Sequence, residues 1–465
     1  MRRAAATIVA AAALLAPAAA HAAQPTPEQV MRAVTVQDMD RHLLALQRIA
    51  DSNGGNRTAG SPGERASVAY VVGQLRRFGY RPRLQEVRFE RTVVVQPATV
   101  QRLFAGGAVS LPTADIANAA PGDVTATAVP VDVNLVGDRA STSGCEPEDF
   151  AGFPAGAIAL LQRGTCTIDQ KTDNAAAAGA AAVLLFNQGD TPDREGLPEL
   201  GSPEPLRLPA AGLTFASGVD LALTRPTVHV VVSTRVDQVV THNVLAQTPG
   251  GTKRVITVGG HLDSVPEGPG INDDGTGVAF LLELARQAKR LNLRPAGALR
   301  FGFWAAEEDG LHGSNTYVAS LTEAQRADIA AYLNFDMLGS PNGTRYVYDA
   351  NQPAGSTRIE HLFQAWFRAR GLATRPTEAG DRSDHAAFAA AGIPIGGLFT
   401  GAEEIKTEAE RRDFGGVVGV ATDPNYHTAR DRFSNVDQRL LGQMARAGAF
   451  VATRLALHPG LLPRR

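Results

Sequence analysis

Acidic and imidazole side chains that could bind metal stand directly after apolar stretches, or in a glycine-containing turn between two of them. They are His261, Asp263, Asp273, Glu307, Glu308 and Asp336. The apolar stretches, residues 255–260, 301–306 and 332–335, have the composition of buried strands. Because functional groups gather at the carboxyl ends of strands in such sheets, we expect these side chains to share one cleft.

Carboxylates gathered in one cleft are electrostatically costly unless cations neutralise them. Histidine and carboxylate ligands without thiolates are typical of catalytic zinc sites. Two zinc ions would bring four positive charges. The carboxylates of Asp273, Glu308 and Asp336, together with one hydroxide, would balance these charges. Glu307 then remains as a titratable carboxylate, which a general base requires.

Asp263 lies two positions after His261, on the same face of an extended chain. Its carboxylate could accept the imidazole N–H and fix the tautomer of a ligating histidine. The sequence lacks His-Glu-x-x-His, Gly-x-Ser-x-Gly and Walker phosphate-loop patterns. Residues 275–277 (Gly-Thr-Gly) predict the start of a helix rather than a dinucleotide site.

The elements that must position these groups alternate between strands and helices. Apolar runs and helical periodicity predict strands at 255–258, 298–304, 330–335 and 393–399, and helices at 277–288 and 435–455. Further upstream, the pattern predicts a helix at 37–49, a helix capped by Ser61 and a strand at 85–89. This alternation favours an α/β fold with a mixed, mostly parallel-centred sheet flanked by helices.

Residues 111–239 have a different texture, with short strand-like runs separated by turn-rich stretches. The predicted elements are strands at 129–136, 157–162 and 182–186, a helix at 171–179 and a surface loop at 191–209. They favour a compact α+β insert. The two cysteines, Cys145 and Cys166, lie in this insert; they either form a disulfide, which export permits, or remain buried thiols.

The chain has 465 residues, with 44% hydrophobic residues, 20% charged residues and a formal net charge of -2. This composition predicts a folded chain of more than one domain, and it argues against nucleic acid or a membrane surface as partner. Residues 1–22 have the pattern of a cleaved signal peptide, with Arg2 and Arg3 before an apolar stretch and small residues at the cleavage site. We therefore expect a secreted or periplasmic protein.

Several segments resemble the di-zinc aminopeptidase family, which includes bacterial secreted leucine aminopeptidases and aminopeptidase Y. The resembling segments are GHLDS at 260–264, INDDG at 271–275, AAEE at 305–308, NFDM at 334–337, RSDH at 382–385, GLFTG at 397–401, YHT at 426–428 and NRTAGSPG at 56–63. The resemblance therefore extends over nearly all of the chain beyond the signal peptide. It implies a zinc exopeptidase fold.

The resemblance also implies which residues bind the metal ions. Asp273 would bridge two zinc ions, His261 and Asp336 would complete one of them, and Glu308 and His427 would complete the other. The two ions would share a bridging water molecule that attacks the peptide bond.

The remaining site residues follow from the same resemblance. Glu307 would be the general base, Tyr426 would donate a hydrogen bond to the developing oxyanion, and Arg382 would lie near the substrate backbone. The implied substrates are peptide or protein N-termini with a large apolar, Leu-like first residue. The oligomeric state is not determined by these motifs, and a monomer is the default expectation.

The insert resembles a protease-associated domain through residues 153–156, 162–166 and 174–182. We therefore expect this non-catalytic domain at 111–239, and a discontinuous peptidase domain at 33–110 and 240–458. The sequence does not indicate how the protease-associated domain contributes to the activity.

Other functions remain open on the same scaffold. A carboxypeptidase would need a cationic cluster for the substrate carboxylate, and a glutaminyl cyclase would use one zinc ion. A non-catalytic binding protein is the third alternative. His385 and His312 are expected to be structural residues rather than metal ligands.

Overall fold

The computed structural model describes residues 24–198, 200–202, 205–349 and 353–463 of the chain. The predicted signal peptide at 1–22 lies outside these ranges. Within them, none of the helices combines the length and the apolar character needed to cross a membrane.

Strands and helices alternate through the second half of the chain. The strands are β1 (Arg83–Phe104), β2 (Gly107–Leu111), β3 (Thr113–Ala117), β4 (Gly122–Pro130), β5 (Ile158–Gln162), β6 (Ala182–Phe186), β7 (Leu200–Gly201), β8 (Ala210–Leu213), β9 (Thr227–Gln247), β10 (Gly251–His261), β11 (Gly297–Trp304), β12 (Ile329–Phe335), β13 (Tyr346–Asp349), β14 (Arg375–Glu378) and β15 (Ile395–Phe399). The helices are α1 (Pro27–Ala33), α2 (Val36–Asp51), α3 (Pro62–Arg77), α4 (Ile168–Ala177), α5 (Phe215–Thr224), α6 (Gly275–Arg290), α7 (His312–Ala319), α8 (Glu323–Ala327), α9 (Ser356–Arg368), α10 (His385–Ala390), α11 (Glu408–Phe414) and α12 (Gln438–Leu457).

The central sheet has a parallel core formed by β11, β10, β12 and β15. Antiparallel strands flank this core, with β9 beside β11 and β13 beside β15. A large apolar cluster that includes Phe280 and Phe335 lies between the sheet and the helices α2, α6, α9 and α12. A second cluster around Trp304, Tyr332 and Phe388 lies beneath α7 and α10. The predicted α/β fold class is therefore confirmed.

The insert has its own sheet, in which β4, β5, β6 and β8 are parallel neighbours, with its own apolar cluster. Helices α4 and α5 pack in this part of the chain. A disulfide joins Cys145 to Cys166, which resolves the choice that the sequence left open between a disulfide and free thiols.

The long antiparallel pair β1 and β9 joins the two sheets. Residues 244–247 of β9 pair with β11 in the central sheet, whereas residues 227–232 pair with β4 in the insert. The expected domain limits, between residues 110 and 111 and between residues 239 and 240, fall inside strands β2 and β9. The domain limits therefore remain a prediction.

Most predicted elements are present with shifts of a few residues at their ends, although the strand predicted at 85–89 continues to Phe104 as β1. The strand predicted at 129–136 is wrong beyond its first two residues. Strand β4 ends at Pro130, and Asp132 adopts a left-handed conformation with φ of 43°. Proline has no N–H to donate to a sheet, and a positive φ does not continue an extended strand. Because Val131, Val133 and Val136 are apolar, the hydrophobic pattern of this segment resembles that of a strand and does not indicate the turn.

Candidate active site

The carboxyl ends of three neighbouring strands bring the predicted side chains together. His261 is the last residue of β10, Asp336 follows the last residue of β12, and Glu307 and Glu308 follow β11 after a short turn. Asp273 comes from the loop before α6, whose N-cap residue is Asp274. His427, also predicted, reaches the same place from the loop before α12.

The carboxylate of Asp273 lies between the two imidazoles. Its Oδ1 is 3.0 Å from Nε2 of His261, and its Oδ2 is 3.3 Å from Nε2 of His427. Asp336 Oδ1 is 3.6 Å from Nε2 of His261, and Glu308 Oε2 is 3.0 Å from Nε2 of His427. Each half of the site thus combines one imidazole, one carboxylate of its own and one oxygen of Asp273.

Buried polar atoms of this cluster fit a metal-binding function. Asp336 Oδ1, Glu308 Oε1 and His427 Nε2 are buried and make no hydrogen bond within the part of the chain that the structure describes. Leaving such atoms unpaired is costly, which a bound cation would offset. His261, Asp273 and Glu308 can place one ligand atom each within a common small volume. Nitrogen and carboxylate donors of this kind suit zinc.

The electrostatics of the cluster favour positive charge. Burial raises the pKa of Glu308 to about 7 and raises that of Glu307 well above its ordinary value. Burial acts in the same direction on Asp273, but the neighbouring His261 and His427 outweigh it and hold its pKa below the ordinary value. Although burial opposes it, Asp273 and Glu308 raise the pKa of His427 to about 10. The cluster therefore favours a positive charge at its centre, which divalent cations could supply.

Asp263 is buried at the site, but its contacts differ from the expected one. Its Oδ1 lies 3.6 Å from Nδ1 of His261, which is too long for a hydrogen bond. Its two oxygens instead accept the backbone N–H groups of Glu307 and Glu308, at 3.2 Å and 3.3 Å. Asp263 therefore positions both glutamates more directly than it positions the imidazole.

The cluster opens into a cleft of about 330 Å³. Tyr426 lines this cleft, and its ring stacks on His427 with 3.7 Å between the centroids. Burial, with the negative charge of Asp273 and other site carboxylates, raises the pKa of Tyr426, so its hydroxyl keeps its proton. Arg382 lies on the rim with a 68% exposed side chain, and it pairs with Glu403 at 2.7 Å.

A chain of buried hydrogen bonds that the sequence did not reveal ends on Asp336. Trp304 donates to the hydroxyl of Tyr332, and that hydroxyl donates to Oδ1 of Asn334. The amide of Asn334 donates to Oγ of Ser383, which donates to Oδ2 of Asp336. The sequence signals for this chain were the presence of Asn334 in the NFDM segment and of Ser383 in the RSDH segment.

Three more charged residues brace the loops that carry the site, and no sequence pattern indicated a function for any of them. Asp431 accepts the N–H groups of Asn272 and Asp273 at 2.7 Å and 3.0 Å. Asp274 accepts the N–H groups of His261 and Met337 at 3.2 Å each. It also accepts the N–H of Gly277, in the first turn of α6. These contacts fix the backbone on either side of Asp273.

Arg57 is the third bracing residue, and it is fully buried. Its guanidinium donates to the carbonyl oxygens of Leu262, Pro269 and Gly270, and its backbone N–H donates to Oγ of Ser264. The loop that connects His261 to Asp273 is thereby folded around one side chain.

His312 and His385, which were expected to be structural residues, have packing contacts. His312 stacks on Phe89 with 4.2 Å between ring centroids. His385 contacts the carbonyl of Ala379 and packs on Tyr348, and burial lowers its pKa to about 4. These contacts agree with the structural function expected for both.

Comparison with known proteins adds to this geometry. The profile of peptidase family M28 matches residues 243–452, and that of the PA domain matches residues 124–221. An aminopeptidase of Pseudomonas aeruginosa is 43% identical over 93% of this chain and 83% of its own length. A probable leucine aminopeptidase 2 of Aspergillus fumigatus is 41% identical over 69% of this chain and 66% of its own length.

A solved structure agrees with these sequence matches. The aminopeptidase from Aneurinibacillus sp. strain AM-1 aligns with a TM-score of 0.76 and 28% identity, over 95% of this chain and 98% of that one. Fold and site together define the class of the protein as a metallopeptidase with an inserted protease-associated domain. The chain belongs to peptidase family M28.

Proposed function

We propose that the chain is a di-zinc aminopeptidase that releases large apolar, Leu-like residues from the N-termini of peptides. The observation that carries this proposal is the position of Asp273, whose two oxygens face His261 and His427 separately. A carboxylate placed in this way can bridge two metal ions. The names of the relatives, aminopeptidase and leucine aminopeptidase, support the substrate class.

The site divides into two ligand sets that share Asp273. His261 and Asp336 would hold one zinc ion, and Glu308 and His427 would hold the other. When bound, such a pair of ions lowers the pKa of a water molecule and polarises the scissile carbonyl.

The residues around this pair supply the proton transfer. Glu307 is almost fully buried beside the ligands, with its backbone fixed by Asp263. It takes a proton from the attacking water and returns it to the amine that leaves, as a general base and then a general acid. Tyr426 keeps its hydroxyl proton and donates it in a hydrogen bond to the developing oxyanion.

The cleft also supplies groups for the substrate. The carboxylates of Glu307 and Asp336 line it and can attract the ammonium group of a free N-terminus. Arg382 lies on the rim, where it would contact the substrate backbone beyond the first residue. Export to the periplasm or the medium, and a monomeric state, are further parts of the proposal.

The cleft offers weaker support for a carboxypeptidase. Among the described residues that line it, Arg382 is the one arginine or lysine, and its guanidinium already pairs with Glu403. A substrate carboxylate would thus meet acidic groups at the centre of the cleft and a neutralised cation at its rim.

Leucine release from a free Leu-terminated peptide, beside its N-acetylated twin, tests the exopeptidase activity. The zinc-loaded protein should cleave the free peptide alone, because acetylation removes the ammonium group. Equal cleavage of both peptides would instead indicate an endopeptidase or carboxypeptidase, and cleavage of neither would favour the cyclase or the binding protein.

A further inference from the structure

A second pocket, of about 380 Å³, is lined by residues of α1, α9 and α12 and of the chain just after α9; we call it the helix pocket. Its apolar lining residues are Met31, Trp366 and Leu372, and its polar ones are Arg32, Arg370, Gln443 and Arg446. Among the described residues, none lines both the helix pocket and the cleft of the candidate active site. A ligand in the helix pocket would therefore occupy a site of its own.

The apolar part of the helix pocket is built from side chains that belong to the packed interior. Trp366 is 4% exposed and Met31 is 8% exposed, and both are members of the large apolar cluster. The guanidinium of Arg370 lies over the indole ring of Trp366, with 4.0 Å between its Cζ and the ring centroid. This wall can pack against the apolar part of a ligand, as is typical of small-molecule sites.

The charged part of the helix pocket is entirely cationic. Its three charged residues are Arg32, Arg370 and Arg446, and none of the described lining residues is acidic. Within the described part of the chain, none of these arginines forms an ion pair, and neither Arg32 nor Arg446 makes a hydrogen bond. Like charges that share a concavity repel one another and favour a bound anion.

The one neutral polar residue of the helix pocket is also oriented as a donor. Arg345 donates to Oε1 of Gln443 at 2.9 Å, which occupies the carbonyl oxygen of the amide. Nε2 of Gln443 makes no hydrogen bond to any described residue, so it remains free to donate. Arginine has donors and no acceptor. All polar side chains of the pocket can thus donate to the oxygen atoms of one anion.

We propose that the helix pocket binds a phosphate monoester with a small apolar substituent. Guanidinium groups bind phosphate through pairs of parallel N–H donors, and a dianion offsets more of the arginine charge than a carboxylate does. The apolar substituent would pack against Trp366 and Met31. A soluble phosphorylated compound and the head group of a lipid such as phosphatidic acid share this chemistry. The proposal is independent of the aminopeptidase activity.

The experiment is a calorimetric titration of the full-length, zinc-loaded protein with p-nitrophenyl phosphate, at low ionic strength and pH 8, where the phosphate is a dianion. Nitrobenzyl alcohol, which has a similar ring and no charge, is the control ligand. The protein should bind p-nitrophenyl phosphate and should bind the alcohol much more weakly. Absence of binding, or equal affinities for the two ligands, would overturn the proposal.

A double variant, Arg32→Gln with Arg446→Gln, tests the position of the site. Both side chains are exposed and make no hydrogen bond to the described residues, so their replacement should not disturb the fold. Its affinity for p-nitrophenyl phosphate should fall about tenfold or more, from the loss of charge-assisted hydrogen bonds. Arg76→Gln with Arg77→Gln is the matched control, because it removes two exposed arginines from the last turn of α3. Equal losses in the two double variants would reduce the effect to net charge and contradict the site.

Tryptophan fluorescence gives a second readout of the position. The chain has two tryptophans, and the other one, Trp304, is fully buried in a different apolar cluster. The nitrophenyl ring absorbs tryptophan emission, so binding in the helix pocket should quench Trp366, and Trp366→Phe should remove most of this quenching. Quenching that is unchanged in Trp366→Phe would place the ligand elsewhere.

Vesicles distinguish the two sources of the phosphate group. Phosphatidylcholine vesicles with and without phosphatidic acid are sedimented with the wild-type protein and with the Arg32 and Arg446 double variant. Cosedimentation that requires both phosphatidic acid and the two arginines would identify a lipid head group as the ligand. Binding of p-nitrophenyl phosphate without such cosedimentation would identify a soluble phosphate monoester.

Discussion

The hydroxyl of Ser383 donates a 2.7 Å hydrogen bond to Oδ2 of Asp336. This bond occupies one oxygen of the carboxylate, while Oδ1 is buried and unbonded within the described residues and lies 3.6 Å from His261. Ser383 is itself held by Asn334 at 2.8 Å. Asp336 therefore presents a single oxygen to the site, in a direction fixed by its neighbours.

We expect Ser383→Ala to weaken zinc binding by about 10- to 100-fold, as is typical when a partner of a metal ligand is removed. Without its hydrogen bond, Asp336 can rotate and must be ordered again when the metal binds. Zinc affinity is measured by competition with a chromophoric chelator. Ser383→Thr keeps the hydroxyl and is the control; equal affinities for the alanine variant and the wild type would refute this positioning function.

Glu307→Gln should retain its zinc but lose activity by a factor of about 10² to 10⁴, the usual contribution of a general base. The amide has nearly the same shape as the carboxylate, and Asp263 still holds its backbone. Metal content by atomic absorption and leucine release on the same sample separate the two effects. Near-normal turnover in this variant would remove Glu307 from the mechanism.

The elements that carry the site were predictable, because the apolar runs before His261, the Glu307–Glu308 pair and Asp336 are local patterns of buried strands. The assignment of His427 and Tyr426 required the family resemblance, since the 427 region has no strand before it. The sequence could not reveal the contacts of Asp263. Its partners are backbone amides at the end of the neighbouring strand, and these depend on the alignment of β10 with β11.

Arg57 illustrates a different limit. A charged residue in a polar loop is ordinarily expected at the surface. Here it is fully buried because carbonyl oxygens of the loop between His261 and Asp273 surround its guanidinium. Such tertiary pairing leaves no trace in hydrophobic periodicity, although residues 56–63 were part of the family resemblance.

Replacement of Arg57 should destabilise the protein strongly. Arg57→Met removes the donors and leaves buried carbonyl oxygens unpaired, which costs about 1–3 kcal/mol for each group. The urea unfolding midpoint measures this effect. Arg88→Met is the control, since Arg88 has a 67% exposed side chain and pairs only at the surface; equal midpoints for the two variants would contradict the bracing function.

The disulfide should stabilise the insert without affecting catalysis. It closes a loop with a sequence separation of 21, and loops of this size contribute about 3 kcal/mol. Cys145→Ser with Cys166→Ser should therefore unfold at lower urea concentration, while activity on leucine p-nitroanilide stays unchanged in the native range. If the variant lost activity at urea concentrations below its unfolding transition, the insert would instead be coupled to the metal site.

The bridging position of Asp273 between His261 and His427 is the central claim, and a zinc titration of the metal-free protein tests it most directly. Isothermal calorimetry, with leucine release followed in parallel, should give two zinc ions per chain and full activity only at the second equivalent. Asp273→Asn should weaken both binding events, because both ions share this carboxylate. Saturation at one ion per chain, or loss of a single binding event in Asp273→Asn, would contradict the two-metal site.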